Sequence, residues 1–276
     1  MLCQRRNILG PPDVYFVRMT CALGHPVFSD QAASEAFLDL LCTLIEGFRL
    51  RLFSFRIEKA LIELVLRHNR TTSETDDHLR RRWTLAGGRT ATLSTARLRR
   101  RMGSLDGFMQ TLAQRFSRDW NLKQKQSGHL WAGRYKACLL ADDAALLAAV
   151  AWSEDDQRPT PLRSSLGQHG ISRRPVLSAL PLRSAPGNLV LPADEAPPGC
   201  TPPPDHDLQA CFERYRAGLL PSCLTAYGQA LARGLVLGRP ESLSESLARL
   251  GRPTGRGRSR KLRDLDDQRG LCGVWG

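Results

Sequence analysis

Two β-rich runs separated by a very short turn constrain the fold of this chain most. Residues 50–57 and 61–66 are rich in leucine, isoleucine and phenylalanine, and residues 58–59 between them are Glu-Lys. This spacing predicts a β-hairpin. An earlier β-rich run, residues 14–23, follows the Pro11-Pro12 pair and predicts a further strand. An antiparallel sheet is therefore expected in this part of the chain.

A helix is predicted between the first strand and the hairpin. Ser29 or Asp30 stands where an N-cap is needed. Apolar residues then recur at helical spacing, at Phe37, Leu40, Leu41, Leu44, Ile45 and Phe48. The order strand, helix, strand, strand is half of a ferredoxin-like sheet.

The next segment completes the expected α+β domain. An apolar stripe predicts a second helix, and it consists of Leu105, Phe108, Met109, Leu112, Phe116 and Trp120. Residues 135–140 are the predicted fourth strand. Asp142 or Asp143 then caps an alanine- and leucine-rich helix that runs to about Trp152. We therefore expect residues 7–152 to form a ferredoxin-like antiparallel sheet with helices on one face.

The composition changes after residue 152. Residues 153–206 hold 11 of the 17 prolines, which predicts a Pro-rich linker without regular elements. Residues 207–250 carry apolar residues at helical spacing and predict a small helical extension. Residues 251–276 open with a basic, glycine-rich run, so a disordered tail is predicted there.

The charge balance favours a polyanionic partner. The chain has 40 Lys and Arg against 27 Asp and Glu, which gives a net charge of +13 and a pI near 10.0. Residues 78–105 alone hold eight arginines and no acidic residue. An excess of this size favours nucleic acid as the partner.

The cysteines and the hydropathy pattern bear on the compartment. The eight cysteines are scattered, without a Cys-x-x-Cys pair, so neither a zinc finger nor a disulfide framework is expected. The N-terminus has no signal-peptide core, and no run approaches about 20 apolar residues. A cytoplasmic protein that does not enter a membrane is expected.

Three segments carry a resemblance to a known family. They are residues 107–121 (GFMQTLAQRFSRDWN), 127–136 (SGHLWAGRYK) and 142–147 (DDAALL). Their order and spacing resemble those of the REP-associated tyrosine transposases, relatives of the insertion-sequence-200 transposases in the HUH nuclease superfamily. The insertion at residues 75–83 is similar to one branch of the family, and the run at residues 255–261 is similar to its basic tails.

The resemblance covers roughly residues 7–165 and implies a ferredoxin-like α+β sandwich that cleaves single-stranded DNA at the foot of hairpins. In the family, a tyrosine attacks the phosphodiester and forms a covalent protein–DNA link. Two histidines one residue apart on a strand hold magnesium or manganese, which polarises the phosphate. The implied partner is hairpin or single-stranded DNA.

This chain departs from the family at each catalytic position. Leu61 and Glu63 stand where the family has its histidine pair, and one carboxylate does not make a metal site. Phe116 stands at the position of the nucleophile, without the attacking oxygen, and Asp119 at a neighbouring family tyrosine. Tyr135 lies in the Gly-Arg-Tyr-Lys strand, where a packing or stacking role is expected. We therefore predict a degenerate member with no catalytic residue, no metal ligand and no retained cofactor.

DNA binding does not depend on the lost chemistry. Basic and amide side chains lie opposite the apolar stripe of the second helix, just before it and near the fourth strand, and such groups contact phosphates. A planar ring stacks on an unpaired base for about 1–3 kcal/mol, although Trp131 fits a hydrophobic anchor equally well. The candidate DNA-binding residues are Arg99, Arg100, Arg101, Gln114, Arg115, Arg118, His129, Arg134 and Lys136.

Three functions remain open at this point. The favoured one is a transposase-derived protein that recognises hairpin or single-stranded DNA without cutting it. The alternative is an active transposase or site-specific single-strand nuclease with a non-standard site, such as Glu63 with ligands from the basic insertion. A third is an RNA-binding ferredoxin-like domain, for which the expected strands lack an aromatic ribonucleoprotein motif. Related transposases often dimerise, and homodimerisation is left open here.

Overall fold

The computed structural model describes residues 13–68, 74–88, 93–153, 155, 221–249, 262–266 and 271–275. Apart from Ser153 and Asp155, the Pro-rich linker predicted over residues 153–206 lies outside the described residues. The basic run at residues 251–261 and the first part of the predicted helical extension, residues 207–220, lie outside them as well.

The described part of the chain contains strands and α-helices in the following order. They are β1 (Asp13–Thr20), α1 (Gln31–Phe48), β2 (Leu50–Glu58), β3 (Leu61–His68), α2 (Asp76–Leu85), α3 (Thr95–Met102), α4 (Leu105–Lys123), β4 (Lys136–Leu140), α5 (Asp143–Ser153), α6 (Pro221–Arg233), β5 (Gly234–Gly238), α7 (Pro240–Arg249), β6 (Leu262–Asp266) and β7 (Leu271–Trp275).

The strands among the described residues form one seven-stranded sheet in the order β2-β3-β1-β4-β5-β7-β6. Its first four strands, β2, β3, β1 and β4, pair antiparallel with one another. Together with α1 and α4 they give the strand–helix–strand–strand–helix–strand order and the arrangement of a ferredoxin-like unit. The α+β class predicted from the sequence is confirmed.

Local signals explain where the elements of this unit begin and end. The Asp30 carboxylate caps α1 by accepting a hydrogen bond from the backbone N–H of Ala32 at 3.0 Å. Arg49 follows α1 in the left-handed conformation, with φ of 53°, and turns the chain directly into β2. The two-residue connection at residues 59–60 then closes the β2–β3 hairpin, in the place that the sequence predicts.

Helices cover both faces of the sheet, which corrects the expectation of helices on one face. Tyr15 and Val17 of β1 pack in the core beneath α1–α4. Phe16 points the other way, into a second core formed with α5 and α6. The reason is that α5 is rich in alanine and leucine on all sides, and a helix that is apolar on all sides has to be buried on all of them. In the described part of the chain, no helix has the length and apolar character needed to cross a membrane.

The C-terminal segment differs from the expected small helical extension and disordered tail. Between α6 and α7, strand β5 pairs in parallel with β4, with Val236 opposite Leu139, so the sheet is mixed. Strands β6 and β7 lie within residues 251–276 and continue the sheet, with β7 antiparallel to β5 and β6 antiparallel to β7. On the sheet face opposite α1–α4, Tyr227 and Leu231 of α6 are buried with α5. The segment is therefore part of the fold and not an appendage.

Leu231→Ala is expected to destabilise the whole protein by about 2–5 kcal/mol, because it opens a cavity between α6 and α5. Denaturant unfolding followed by tryptophan fluorescence and by circular dichroism measures the loss. The control Gln229→Ala, on the exposed side of α6, is expected to change stability by no more than about 0.5 kcal/mol. Two separate transitions, with only one shifted by Leu231→Ala, would contradict a shared core.

Candidate nucleic-acid interface

The resemblance implies a metal site at Leu61 and Glu63 and a nucleophile at Phe116. These two parts of a cleavage site lie on opposite faces of the sheet. Ile62 and Leu64 of β3 pack in the core beneath α1–α4. By strand alternation, Leu61 and Glu63 therefore point to the face covered by α5. Phe116 of α4 packs in the α1–α4 core. No group of three or more His, Cys, Asp or Glu side chains in the described residues is arranged to hold a metal, so this donor set does not fit the family's ion.

Glu63 belongs instead to a row of charged side chains that crosses four strands. Its cross-strand neighbours are Arg56 on β2 and Arg18 on β1, and Arg18 pairs in turn with Lys136 on β4. Glu63 is fully buried, and its Oε1 lies 3.9 Å from Nε of Arg18. Arg56 donates from Nη1 to the carbonyl oxygen of Asp155, just beyond α5. Because a buried charge needs compensation, Glu63 lies beside Arg18 as its counter-ion, whereas Arg56 pairs with Glu58 at 2.8 Å.

Phe116 fills the aromatic centre of the core, as the sequence predicts. Its ring stacks on Phe28, with centroids 5.5 Å apart, and meets Phe37 edge-on at 5.2 Å. Trp131 packs against the same ring at 6.0 Å and donates its indole N–H to the carbonyl oxygen of Ala113. Trp131 is therefore an anchor of the loop before β4 and not an open stacking surface.

A cleft of about 620 Å³ lies between α3, α4 and the loop before β4. Among the described residues that line it, Asp106 is the acidic one. Guanidinium and amide groups supply its hydrogen-bond donors, and they belong to Arg97, Arg100, Arg101, Arg134, Gln110 and Gln114. The cleft is thus a cationic recess of the size and donor content that an anionic chain requires.

The junction between α3 and α4 sets the position of the arginines on α3. Ser94 caps α3 by accepting from the backbone N–H of Arg97, and Ser104 caps α4 by accepting from that of Gly107 at 3.1 Å. A Cβ at Gly107 would lie 1.9 Å from the carbonyl oxygen of Arg101. Only glycine therefore allows the start of α4 to approach the end of α3 this closely.

The arginines of α3 differ in how firmly they are held. Arg101 lies with its guanidinium 5.2 Å from the centroid of the Trp83 ring and donates from Nη2 to Oγ1 of Thr111 at 3.2 Å. Burial lowers the pKa of the Arg101 guanidinium, which still stays charged at neutral pH. Arg97 and Arg100 are exposed. Of the three α3 arginines that line the cleft, Arg101 is therefore fixed, whereas Arg97 and Arg100 can move to meet a ligand.

Asp106 fixes the wall of the cleft opposite α3. Its Oδ1 accepts hydrogen bonds from the Tyr135 hydroxyl at 2.5 Å and from Nη2 of Arg134 at 3.0 Å. The carboxylate also lies in the first turn of α4, where the helix dipole favours a negative charge. Asp106 thereby ties the loop before β4 to α4. Sequence reasoning missed it, although an acidic residue two positions after the Ser104 cap is a recognisable signal.

Four of the nine DNA-binding residues predicted from the sequence meet in this cleft, namely Arg100, Arg101, Gln114 and Arg134. Arg97 lines it as well and was not among the nine. It lies one helical turn before Arg100 and Arg101, so helical spacing alone was enough to include it.

Two of the predicted arginines make contacts within the fold. Arg99 donates from Nη1 to the carbonyl oxygen of Glu74 and forms an ion pair with Asp76 at 2.7 Å. Arg115 donates to the carbonyl oxygen of Ala86. These contacts join α2 to α3 and to α4, so the two side chains are occupied inside the protein.

The other three predicted residues lie outside the cleft. Arg118 is exposed on α4 and forms an ion pair with Asp119 at 3.3 Å. His129 is exposed in the loop after α4. Lys136 lines a neighbouring groove of about 490 Å³, together with Arg18. The nine predicted residues thus divide between the cleft, contacts within the fold, the groove and separate surface positions.

Phe116→Tyr is expected to lower stability by about 1–3 kcal/mol, because the added hydroxyl enters an aromatic core without a designed partner. Denaturant unfolding measures the loss. Phe55→Tyr, at a half-buried position on β2, is the control and is expected to change stability by about 0.5 kcal/mol or less. Equal stability of Phe116→Tyr and the wild type would contradict the placement of this ring in the core.

The chain was also compared with known proteins. No family model matches it, and no curated protein matches it. Among solved structures, it is similar to one described as a "putative transposase from deinococcus radiodurans r1", with 14% sequence identity and a TM-score of 0.28. The similarity covers 61% of this chain and 95% of that one. The functional argument therefore rests on the residues of this chain.

Proposed function

We propose that this chain is a transposase-derived DNA-binding protein that holds hairpin or single-stranded DNA without cutting it. The observation that carries the proposal is the cleft between α3, α4 and the loop before β4, where four arginines line about 620 Å³. Its acidic residue, Asp106, already pairs with Arg134. The remaining positive charge attracts the phosphates of a nucleic acid.

The donors in the cleft suit a nucleic-acid backbone. Guanidinium groups form strong, often bidentate, hydrogen bonds with phosphate oxygens. Gln110 and Gln114 are exposed along the same side of α4, where their amides serve both phosphates and base edges. The resemblance in residues 107–136 favours hairpin or single-stranded DNA over other polyanions. Homodimerisation and a cytoplasmic location stay predictions.

A binding role without cleavage agrees with the residues at the family's catalytic positions. Leu61 offers no ligand, Glu63 is buried beside Arg18, and Phe116 has no oxygen to attack. One observation gives the alternative, an active enzyme, a concrete candidate: the Tyr135 hydroxyl faces a carboxylate, that of Asp106, at the edge of the basic cleft. The two functions are therefore tested separately.

Arg97→Gln with Arg100→Gln is expected to weaken binding to a labelled DNA hairpin with a single-stranded foot. Removal of one phosphate-binding cation lowers the slope of log affinity against log salt by about 0.7 for a single strand, so the double variant is expected to lower it by about 1.4. Fluorescence anisotropy at several salt concentrations measures both effects.

The matched control for this pair is Lys59→Gln with Arg81→Gln, which removes the same charge from exposed positions outside the cleft. It is expected to keep the wild-type salt slope. The same loss of affinity in both double variants would show that net charge, and not the cleft, attracts DNA. No binding by the wild type at moderate salt would overturn the DNA-binding proposal itself.

Strand cleavage is expected to be absent. After incubation of labelled hairpin DNA with the protein and manganese, a denaturing gel is expected to show neither a nick nor a covalent protein–DNA adduct, because the described residues hold no metal-binding group. Tyr135→Phe is expected to leave affinity within about twofold, since an uncharged hydroxyl adds little to phosphate binding. An adduct that Tyr135→Phe abolishes would establish the enzymatic alternative.

A further inference from the structure

A second basic recess adjoins the cleft. This groove of about 490 Å³ is lined by Arg18, Thr20, Ala132, Gly133, Arg134, Lys136, Ala232 and Arg233. It thus lies between β1, β4, the loop before β4 and the last turn of α6. None of these described residues is acidic, and four of the eight carry a positive charge.

The cations of the groove come from distant parts of the sequence. Arg18 and Lys136 are cross-strand neighbours on β1 and β4, whereas Arg233 ends α6, almost a hundred positions later. Parallel pairing of β5 with β4 brings the end of α6 to this place, because β5 follows Arg233 directly. The C-terminal segment therefore builds one wall of the groove.

Arg18 has a support that an ordinary surface arginine lacks. Its side chain is 30% exposed, while the carboxylate of Glu63 that lies 3.9 Å away is fully buried. The buried negative charge holds the guanidinium at the floor of the groove and leaves part of it open to a ligand. Lys136 and Arg233 are exposed, so their charges are open to a ligand as well.

The groove and the cleft share Gly133 and Arg134. Arg134 stands where the two meet, tied to Asp106 at 3.0 Å. A linear polyanion that leaves the cleft across this point passes Asp106, the acidic residue among the described lining residues, whose charge is paired with Arg134. A flexible single strand, with regularly spaced phosphates, meets that geometry more readily than a compact anion.

We propose that the groove binds phosphates of the same single strand that occupies the cleft, with Lys136 and Arg233 as its open cations and Arg18 as its fixed one. This proposal rests on the function proposed for the cleft and deepens it. The DNA strand follows one path past the ends of β1 and β4, and the C-terminal segment contributes to affinity through Arg233. The path makes binding dependent on strand length.

The test uses the full chain and the double variant Lys136→Gln with Arg233→Gln, which leaves Arg18 and Glu63 intact. Anisotropy titrations use single-stranded DNA of about 4 and about 16 nucleotides, the range of site sizes typical of single-strand grooves. The variant is expected to bind the longer strand about three- to tenfold more weakly at low salt, with a salt slope lower by about 1.4, and to bind the shorter strand as the wild type does.

The control is Lys59→Gln with Arg239→Gln, which removes equal charge from exposed positions outside the groove. It is expected to bind both strands as the wild type does. Thermal unfolding of each variant establishes that the fold is retained. A second variant, Arg233→Glu, is expected to strengthen the effect on the longer strand by charge repulsion.

The outcomes separate this proposal from the function of the cleft. If Arg97→Gln with Arg100→Gln weakens binding while Lys136→Gln with Arg233→Gln does not, the cleft binds DNA and the path through the groove is overturned. A loss of affinity confined to strands with a 5′-phosphate, at either length, would make the groove a terminal-phosphate pocket and also overturn the path. A wild type that binds no DNA would overturn both proposals.

Discussion

The central strands β1 and β3 are buried on both faces, and the rest of the structure depends on that constraint. Successive side chains on these strands alternate between two cores, one under α1–α4 and one under α5 and α6. A polar side chain at a buried position of either strand therefore needs a partner. Glu63 meets this need through Arg18, and the charged row it belongs to ends at Lys136, on the rim of the groove. The same alternation turns Glu63 away from the core that contains Phe116.

The arginine count overstates the charge available to a ligand. Arg82 is buried, donates from Nε to the carbonyl oxygen of Gly47 and pairs with Glu74. Burial lowers the pKa of its guanidinium, and the neighbouring carboxylate partly offsets that effect. Contacts of this kind hold the insertion at residues 75–83 against the end of α1. They thereby give α3 a fixed place beside α4. The structural arginines thus fix the backbone of α3 beside the cleft, and the exposed side chains of Arg97 and Arg100 extend from it.

Signals within one element predicted the fold well, and contacts between distant elements did not follow from them. The hairpin at residues 50–66 and the cap at Asp30 are local, and the structure has both. Strand β5 was not predicted from the sequence, because its five residues, Gly-Leu-Val-Leu-Gly, match a helix end as well as a short strand. Arg100 and Arg101 of the cleft were predicted from charge, whereas Arg233 of the groove was not. Its place depends on a parallel pairing across more than ninety residues, which no local pattern encodes.

The chemistry of the two recesses is consistent with the proposed binding of DNA without cleavage. Guanidinium and ammonium groups that attract a phosphodiester equally in its ground state and in the transition state raise affinity without lowering the barrier. Acceleration needs a nucleophile in line with the phosphate and a charge aimed at the transition state. The nearest approach to such a pair is the Tyr135 hydroxyl on Asp106, yet that carboxylate also pairs with Arg134. Moving Asp106 to serve the tyrosine as a base would release the arginine that joins cleft and groove. The same contact therefore favours a continuous binding surface over a reactive one.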